Sequence, residues 1–229
     1  MKRAAILLFS VLALPLAGGA AAQTAQTAPA PPAAQEVDPW ASLKTVRQSL
    51  VEAGPTGAGF VQTFIPTGFT SGEKENGKLA LSLPDCLRWD YTAPYPKSFL
   101  ICGGVLYAWN EEDKTGRRYR VDRKKEPGLD LLLLGVDELK DRYRATGKAV
   151  EGGRVEIALF PKESSPKDKG KTSELTDATL TVDPTTKRVT GIAYHDREGN
   201  LTRFDITGYE DLPRQGRFTP PAGIKWEEQ

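Results

Sequence analysis

The sequence predicts a mainly β chain with a few helices, built on an antiparallel sheet that curls over an apolar interior. Three observations carry that prediction. Apolar residues recur at period two along much of the chain, the pattern of strands with one buried face. The runs are joined by short turns, and such connections exclude a parallel α/β sheet. Helical spacing occurs only ahead of the strands and in one insert between two groups of them. A twisted sheet of many strands curls on itself, and helices of this kind would cover its concave face. The geometry encloses either an apolar cavity or a packed core.

The first helix is signalled by Asp38-Pro39, an N-cap followed by proline at the first helical position. Trp40, Leu43, Val46 and Leu50 form one apolar stripe, and Gly54-Pro55 stops it. The period then changes to two. Phe60, Gln62 and Phe64 alternate with Val61, Thr63 and Ile65, and Glu75-Asn76-Gly77 reads as a hairpin turn. Leu79, Leu81 and Leu83 share a face of the next strand. Leu87, Trp89 and Tyr91 repeat the pattern, with Arg88 and Asp90 outward. Phe99 and Ile101 follow, then Gly103-Gly104, then Val105, Tyr107 and Trp109; Tyr119 and Val121 mark a further short strand. After Pro127-Gly128 comes the insert, with an almost wholly apolar stretch at Leu129 to Leu134 and a helical one at Val136 to Tyr143. Strands resume around Val155, Leu180, Ile192 and Phe204, and Asp183-Pro184 and Asp196 to Asn200 are turns.

The amino terminus has the form of a secretory signal: Lys2 and Arg3, an apolar run from Ala4 to Leu16, and Ala20-Ala21-Ala22 before Gln23. Residues 1–22 are therefore expected to be a cleaved signal peptide, the alternative being an uncleaved anchor. A lipid-anchored bacterial protein needs a Cys directly after the cleavage point, whereas the first Cys here is Cys86. Residues 23–37, rich in Ala, Pro and Gln, read as a flexible spacer with too few large apolar groups to bury. Residues 38–229 suffice for one domain with a sizeable core.

The formal net charge of +1 gives no field that would draw nucleic acid. Arg117, Arg118, Arg120, Arg123, Lys124 and Lys125 form a basic run, read as a solvated strand edge or as a contact for an anionic membrane surface or acidic partner. Cys86 and Cys102 are the only cysteines. They fall on neighbouring strands, but the simplest register sets Leu87 opposite Cys102, so a disulfide would need a bulge. Two buried thiols are the alternative. His195 is the only histidine and has no evident partner, so it reads as a surface polar residue. No nucleophile elbow and no metal-ligand cluster appear. Gly54, Gly57 and Gly59 follow a helix and precede a strand, the reverse of a phosphate-binding arrangement, and read as a loop. Leu131 to Leu134 are harder to place. Four consecutive leucines point in all directions on a short helix, so one side must face something apolar besides the sheet. A bound acyl chain would serve, each buried CH₂ contributing about 0.8 kcal/mol.

Several stretches carry a family resemblance. They are Phe60 and Gln62, then Gly77-Lys78-Leu79-Ala80-Leu81, Pro84, Arg88-Trp89-Asp90-Tyr91 with Pro94, Gly104-Val105-Leu106-Tyr107, and Phe218-Thr219-Pro220-Pro221-Ala222-Gly223-Ile224. In order and spacing, from about Asp38 to Trp226, the chain resembles the outer-membrane lipoprotein carrier family of the LolA type. The resemblance implies an incomplete, strongly curved antiparallel β-barrel with a helical lid over an apolar cavity. It implies a periplasmic protein that takes acylated lipoproteins from an inner-membrane lipoprotein-releasing ABC transporter and hands them to an outer-membrane lipoprotein receptor. The cavity lining it implies is Phe60, Leu79, Leu81, Trp89, Phe99, Ile101, Leu106, Trp109 and the lid leucines Leu131, Leu132, Leu133 and Leu134. No cofactor, metal or catalytic residue is expected, and the working unit is expected to be a monomer. One departure stands out. Well-known members carry an Arg before the proline matching Pro84, and its hydrogen bonds to the lid hold the empty state closed. Here that residue is Leu83, and Arg88 is the expected substitute for the lid contact.

Two further readings compete. A lipid- or lipoprotein-sensing regulatory module on the same fold is favoured by Leu83, which would uncouple the chain from carrier duty. An enzyme acting on lipid or glycan would need His195 in a catalytic role.

Overall fold

The computed structural model describes residues 35–121, 129–162, 175–213 and 217–228. The expected signal peptide, most of the spacer, Arg123 to Lys125, Pro127-Gly128 and residues 163–174 lie outside them.

Helix α1 (Pro39–Ala53) begins where Asp38 accepts hydrogen bonds from the backbone N–H groups of Trp40 and Ala41 at 2.9 and 3.1 Å. It ends at Gly54, whose φ of 75° is open to glycine at little cost. Its buried residues, Leu43, Val46 and Leu50, form the expected stripe. Six strands follow: β1 (Thr56–Ile65), β2 (Glu73–Ser82), β3 (Cys86–Ala93), β4 (Lys97–Cys102), β5 (Val105–Asn110) and β6 (Thr115–Arg120). The insert holds α2 (Leu129–Leu133) and α3 (Val136–Arg142). Then come β7 (Tyr143–Ala149), β8 (Val155–Pro161), β9 (Leu175–Asp183), β10 (Arg188–Asp196), β11 (Leu201–Asp211) and β12 (Lys225–Glu228).

These strands form one 12-stranded open sheet in the order β12-β6-β5-β4-β3-β2-β1-β11-β10-β9-β8-β7. Its two halves are consecutive meanders. They meet where β1 pairs antiparallel with β11, from Thr56 opposite Asp211 to Ile65 opposite Leu201. Residues 35–37 run along the free side of β7, with Glu36 bridging Lys148 and the Val37 N–H bonding the Gly147 carbonyl.

Apolar groups gather on both faces. The concave side holds the large cluster, including Phe60, Leu79, Leu81, Leu87, Trp89, Ile101, Ile157, Leu159, Leu180 and Ile206 with the α1 stripe. The convex side holds a smaller one, in which Leu100, Trp109 and Ile224 are joined by Tyr107, Phe218 and Trp226. The carboxyl-terminal segment, ending in β12, creates that second core. Gly116 has no side chain because the Trp226 ring occupies the space a Cβ would need.

The structure changes several local expectations. Glu75-Asn76-Gly77 is not a hairpin turn; it lies inside β2, and residues 66–72 make the connection. What the motif marks is a register shift between Asn76 and Gly77 against β3. A Cβ on Gly77 would fall on the Phe60 ring and the Asp90 carbonyl oxygen, so glycine serves close approach there. Gly57 and Gly59 belong to β1, flanking its register shift against β11, rather than to a loop. Cys86 and Cys102 are directly opposite, without a bulge, and form a disulfide. In the described part of the basic run, Arg117 and Arg118 do not lie on a free sheet edge. β12 lies parallel to β6 and brings Glu227 to Arg117 and Glu228 to Arg118.

Candidate functional site

The concave interior is built by period-two alternation. Phe60 on β1, Leu79 and Leu81 on β2, Trp89 on β3, Ile101 on β4 and Leu106 on β5 all belong to the interior cluster, with Phe99 half-buried against it. The aromatics pack in offset contacts, edge to face where Phe60 meets Trp89 and Tyr91 and tilted where Phe204 meets Trp89. Phe60 lies 4.8 Å from Trp89 and 5.0 Å from Tyr91 between ring centroids, and Phe204 closes on Trp89 at 5.0 Å. Such offset contacts suit the ring quadrupole and fix the side chains beyond what burial alone does.

Toward the Phe64 end of β1 the lining turns polar. The Tyr91 hydroxyl donates to Gln62 Oε1 at 2.5 Å, Lys97 Nζ lies 2.7 Å from Glu75, and the same ammonium sits 4.6 Å from the Tyr91 ring centroid. Burial, helped by the Glu75 charge, pushes the Tyr91 phenol well above its ordinary range. Burial likewise raises Tyr194. Both therefore remain neutral hydrogen-bonding groups beside an apolar surface.

At the other end lies the lid. Leu131, Leu132, Leu133 and Leu134 are all buried in the interior cluster, so every side of the leucine run finds apolar partners within the chain. The expected unmatched face is absent from this state. The lid is held by Arg47 of α1, which donates from its two terminal nitrogens to the carbonyl oxygens of Leu132 and Leu133 at 3.1 and 2.9 Å. These carbonyls end a short helix and have few intrahelical donors, which makes them natural targets for a guanidinium fork. Glu138 caps the following helix by accepting from the Gly135 N–H at 2.9 Å.

Two expected site residues lie elsewhere. Trp109 belongs to the convex cluster; alternation in β5 puts it with Tyr107 on the face opposite Leu106. Arg88 is also on the convex side. It pairs with Asp90 at 2.8 Å, lies 5.1 Å from the Trp109 ring centroid and donates to the Arg217 carbonyl. It fastens the carboxyl-terminal segment and does not contact the lid. Arg47 sits beside the α1 stripe, where a basic residue reads as solvent-facing, so helical periodicity does not single it out. His195 has a partner after all: its Nδ1 is 3.0 Å from Asp177 across β9 and β10, both side chains being partly exposed. Among the described residues no cluster of three or more His, Cys, Asp or Glu could hold a metal ion, and no helix is long and apolar enough to cross a membrane.

Sheet, apolar concave floor and leucine lid together define a lidded half-barrel. Residues 55–219 match the family described as "Outer membrane lipoprotein carrier protein LolA", and the chain belongs to that family. It is 25% identical over 193 residues to the outer-membrane lipoprotein carrier protein of Methylococcus capsulatus, covering 82% of this chain and 87% of that one. It is 24% identical over 196 residues to the protein of the same description from Proteus mirabilis, covering 83% and 90%. Among solved structures, an uncharacterized conserved protein from Thermus thermophilus superposes with a TM-score of 0.53 at 9% identity, covering 82% of this chain and 98% of that one; this likeness is one of fold.

Proposed function

We propose that the protein is a soluble periplasmic carrier, exported by cleavage after Ala22 and not lipidated, that shields lipoprotein acyl chains between the two membranes of the envelope. The observation that carries this reading is the lid. Four leucines close an apolar interior, yet the polar tie found at the lid's end is the pair of Arg47 hydrogen bonds to backbone carbonyls. Acyl chains entering beneath the lid would replace leucine contacts with equivalent apolar ones, at about 0.8 kcal/mol for each buried CH₂. Opening therefore need not leave apolar surface in water once cargo is aboard.

Phe60, Leu79, Leu81, Trp89, Phe99, Ile101 and Leu106 form the floor on which the chains rest. Arg47 takes the lid-holding role that the family resemblance gives to an Arg at the Leu83 position. An inner-membrane ABC transporter loads the carrier and an outer-membrane receptor unloads it. No step of this cycle requires chemistry by the protein, so His195 and Asp177 are surface residues.

Deleting the gene should strand lipoproteins in the inner membrane, as read by membrane fractionation. Normal sorting after deletion would overturn the proposal.

A further inference from the structure

We propose that the groove between α1 and α3 binds the anionic headgroup of a phospholipid, a ligand class distinct from the lipoprotein anchor. This rests on the acyl-binding reading above. The groove encloses about 560 Å³, within the size range of small-molecule sites, and is lined by Trp40, Lys44, Arg47, Val51, Val136 and Lys140 among others.

Its chemistry is amphiphilic. Trp40 and Val136 also pack against the interior cluster, so the wall of the groove is the outer skin of the apolar interior. Lys44 and Arg47 occupy successive turns of α1, and Lys140 lines the same groove from α3, its Nζ 5.9 Å from the Trp40 ring centroid. Three carboxylates also line the groove. Asp38 is engaged in capping α1, Glu52 lies near the carboxyl end of that helix, and Asp137 is in the first turn of α3. Along α1, Lys44 and Arg47 thus lie between the two carboxylates at the helix ends, beside the apolar wall formed by Trp40 and Val136.

A lipoprotein's acylated glyceryl anchor carries no charge at its head and has no use for this cluster. A lipid phosphate does: its oxygens accept charge-assisted hydrogen bonds from ammonium and guanidinium groups while its chains reach toward the lid. Arg47 joins the two sites, because it lines the groove and holds the Leu132 and Leu133 carbonyls.

The test is calorimetric titration of the exported protein with short-chain lipids sharing the same tails. The probes are dihexanoyl phosphatidylglycerol, dihexanoyl phosphatidylcholine, a neutral diacylglycerol and inorganic phosphate. The anionic lipid should bind about tenfold more tightly than the zwitterionic one, because both bring a phosphate but the choline ammonium of the latter is repelled by the cations of the groove. Lys44→Gln with Lys140→Gln should abolish that preference and leave diacylglycerol binding unchanged, and the Lys→Arg pair should keep it. Both lysines are exposed, so folding is not at stake. Equal affinity for the two phospholipids, or a preference surviving in the glutamine pair, overturns the proposal while leaving the acyl-binding reading intact. Inorganic phosphate binding as tightly as phosphatidylglycerol also overturns it, since the groove would then be a small-anion site. Binding of no lipid at all overturns both readings together.

Discussion

Arg47 ties α1 to the lid through two hydrogen bonds, and removing it should loosen the lid without unfolding the sheet. A hydrogen bond from a charged donor contributes about 1.5–3 kcal/mol, and Arg47 is only part-buried, so Arg47→Ala should lower the cost of lid opening by about 2 kcal/mol. Amide exchange at Leu131 to Leu134 should then quicken by roughly thirtyfold. Arg47→Lys keeps the charge but not the fork and should recover only part of the loss. Arg88→Ala should leave lid exchange unchanged, because Arg88 lies on the convex face. The two arginines show what a sequence can convey at this scale. That Arg88 alternates outward from Trp89 was legible; that the outer face there is itself covered, by Phe218 and Trp226, was not. Burial of Trp109 on that face has the same cause: alternation tells which residues share a face, not which face is inside when both are packed.

Within elements, the β3–β4 hairpin is fastened by the Cys86–Cys102 disulfide, with 16 residues of sequence separation. On the chain-entropy account a loop of that size contributes about 3 kcal/mol. Cys86→Ala with Cys102→Ala should therefore lower unfolding free energy by about that amount in a denaturant titration, and a change within about 0.5 kcal/mol would show that the cross-link constrains little. The pairing was legible in outline, but its register was not: the turn at Ala93 to Lys97 sets Tyr91 opposite Lys97, one residue from the simplest alignment. The β9–β10 turn gives a pH-dependent counterpart. The Thr185 and Thr186 backbone N–H groups donate to Asp183 and hold its carboxyl below the usual range. A depressed folded value means the contribution is present above the unfolded pKa of about 3.9 and is lost as pH falls through the folded one. The amide resonances of Thr185 and Thr186 should titrate together with a midpoint below that of a free aspartate, and a midpoint at or above it would exclude the turn as the cause.

At the scale of the whole molecule, the antiparallel meanders and the helical insert were legible because both rest on local periodicity. The leucine lid was legible as a problem, four apolar groups with too few partners, whereas its closed solution depends on α1 lying across it. The parallel β12 and the union of β1 with β11 were not legible, since no short-range pattern specifies which distant strands become neighbours. That union has a consequence for how the chain comes to be folded. On the side away from β2, Thr56 pairs with Asp211, so the middle of the sheet is closed by residues near opposite ends of the domain. Contacts so far apart in sequence form late and slowly. A chain threaded through a membrane amino end first cannot complete this seam until β11 has followed β1 across. Under the export proposed above, this topology would leave the β1–β11 seam to form on the far side of the membrane.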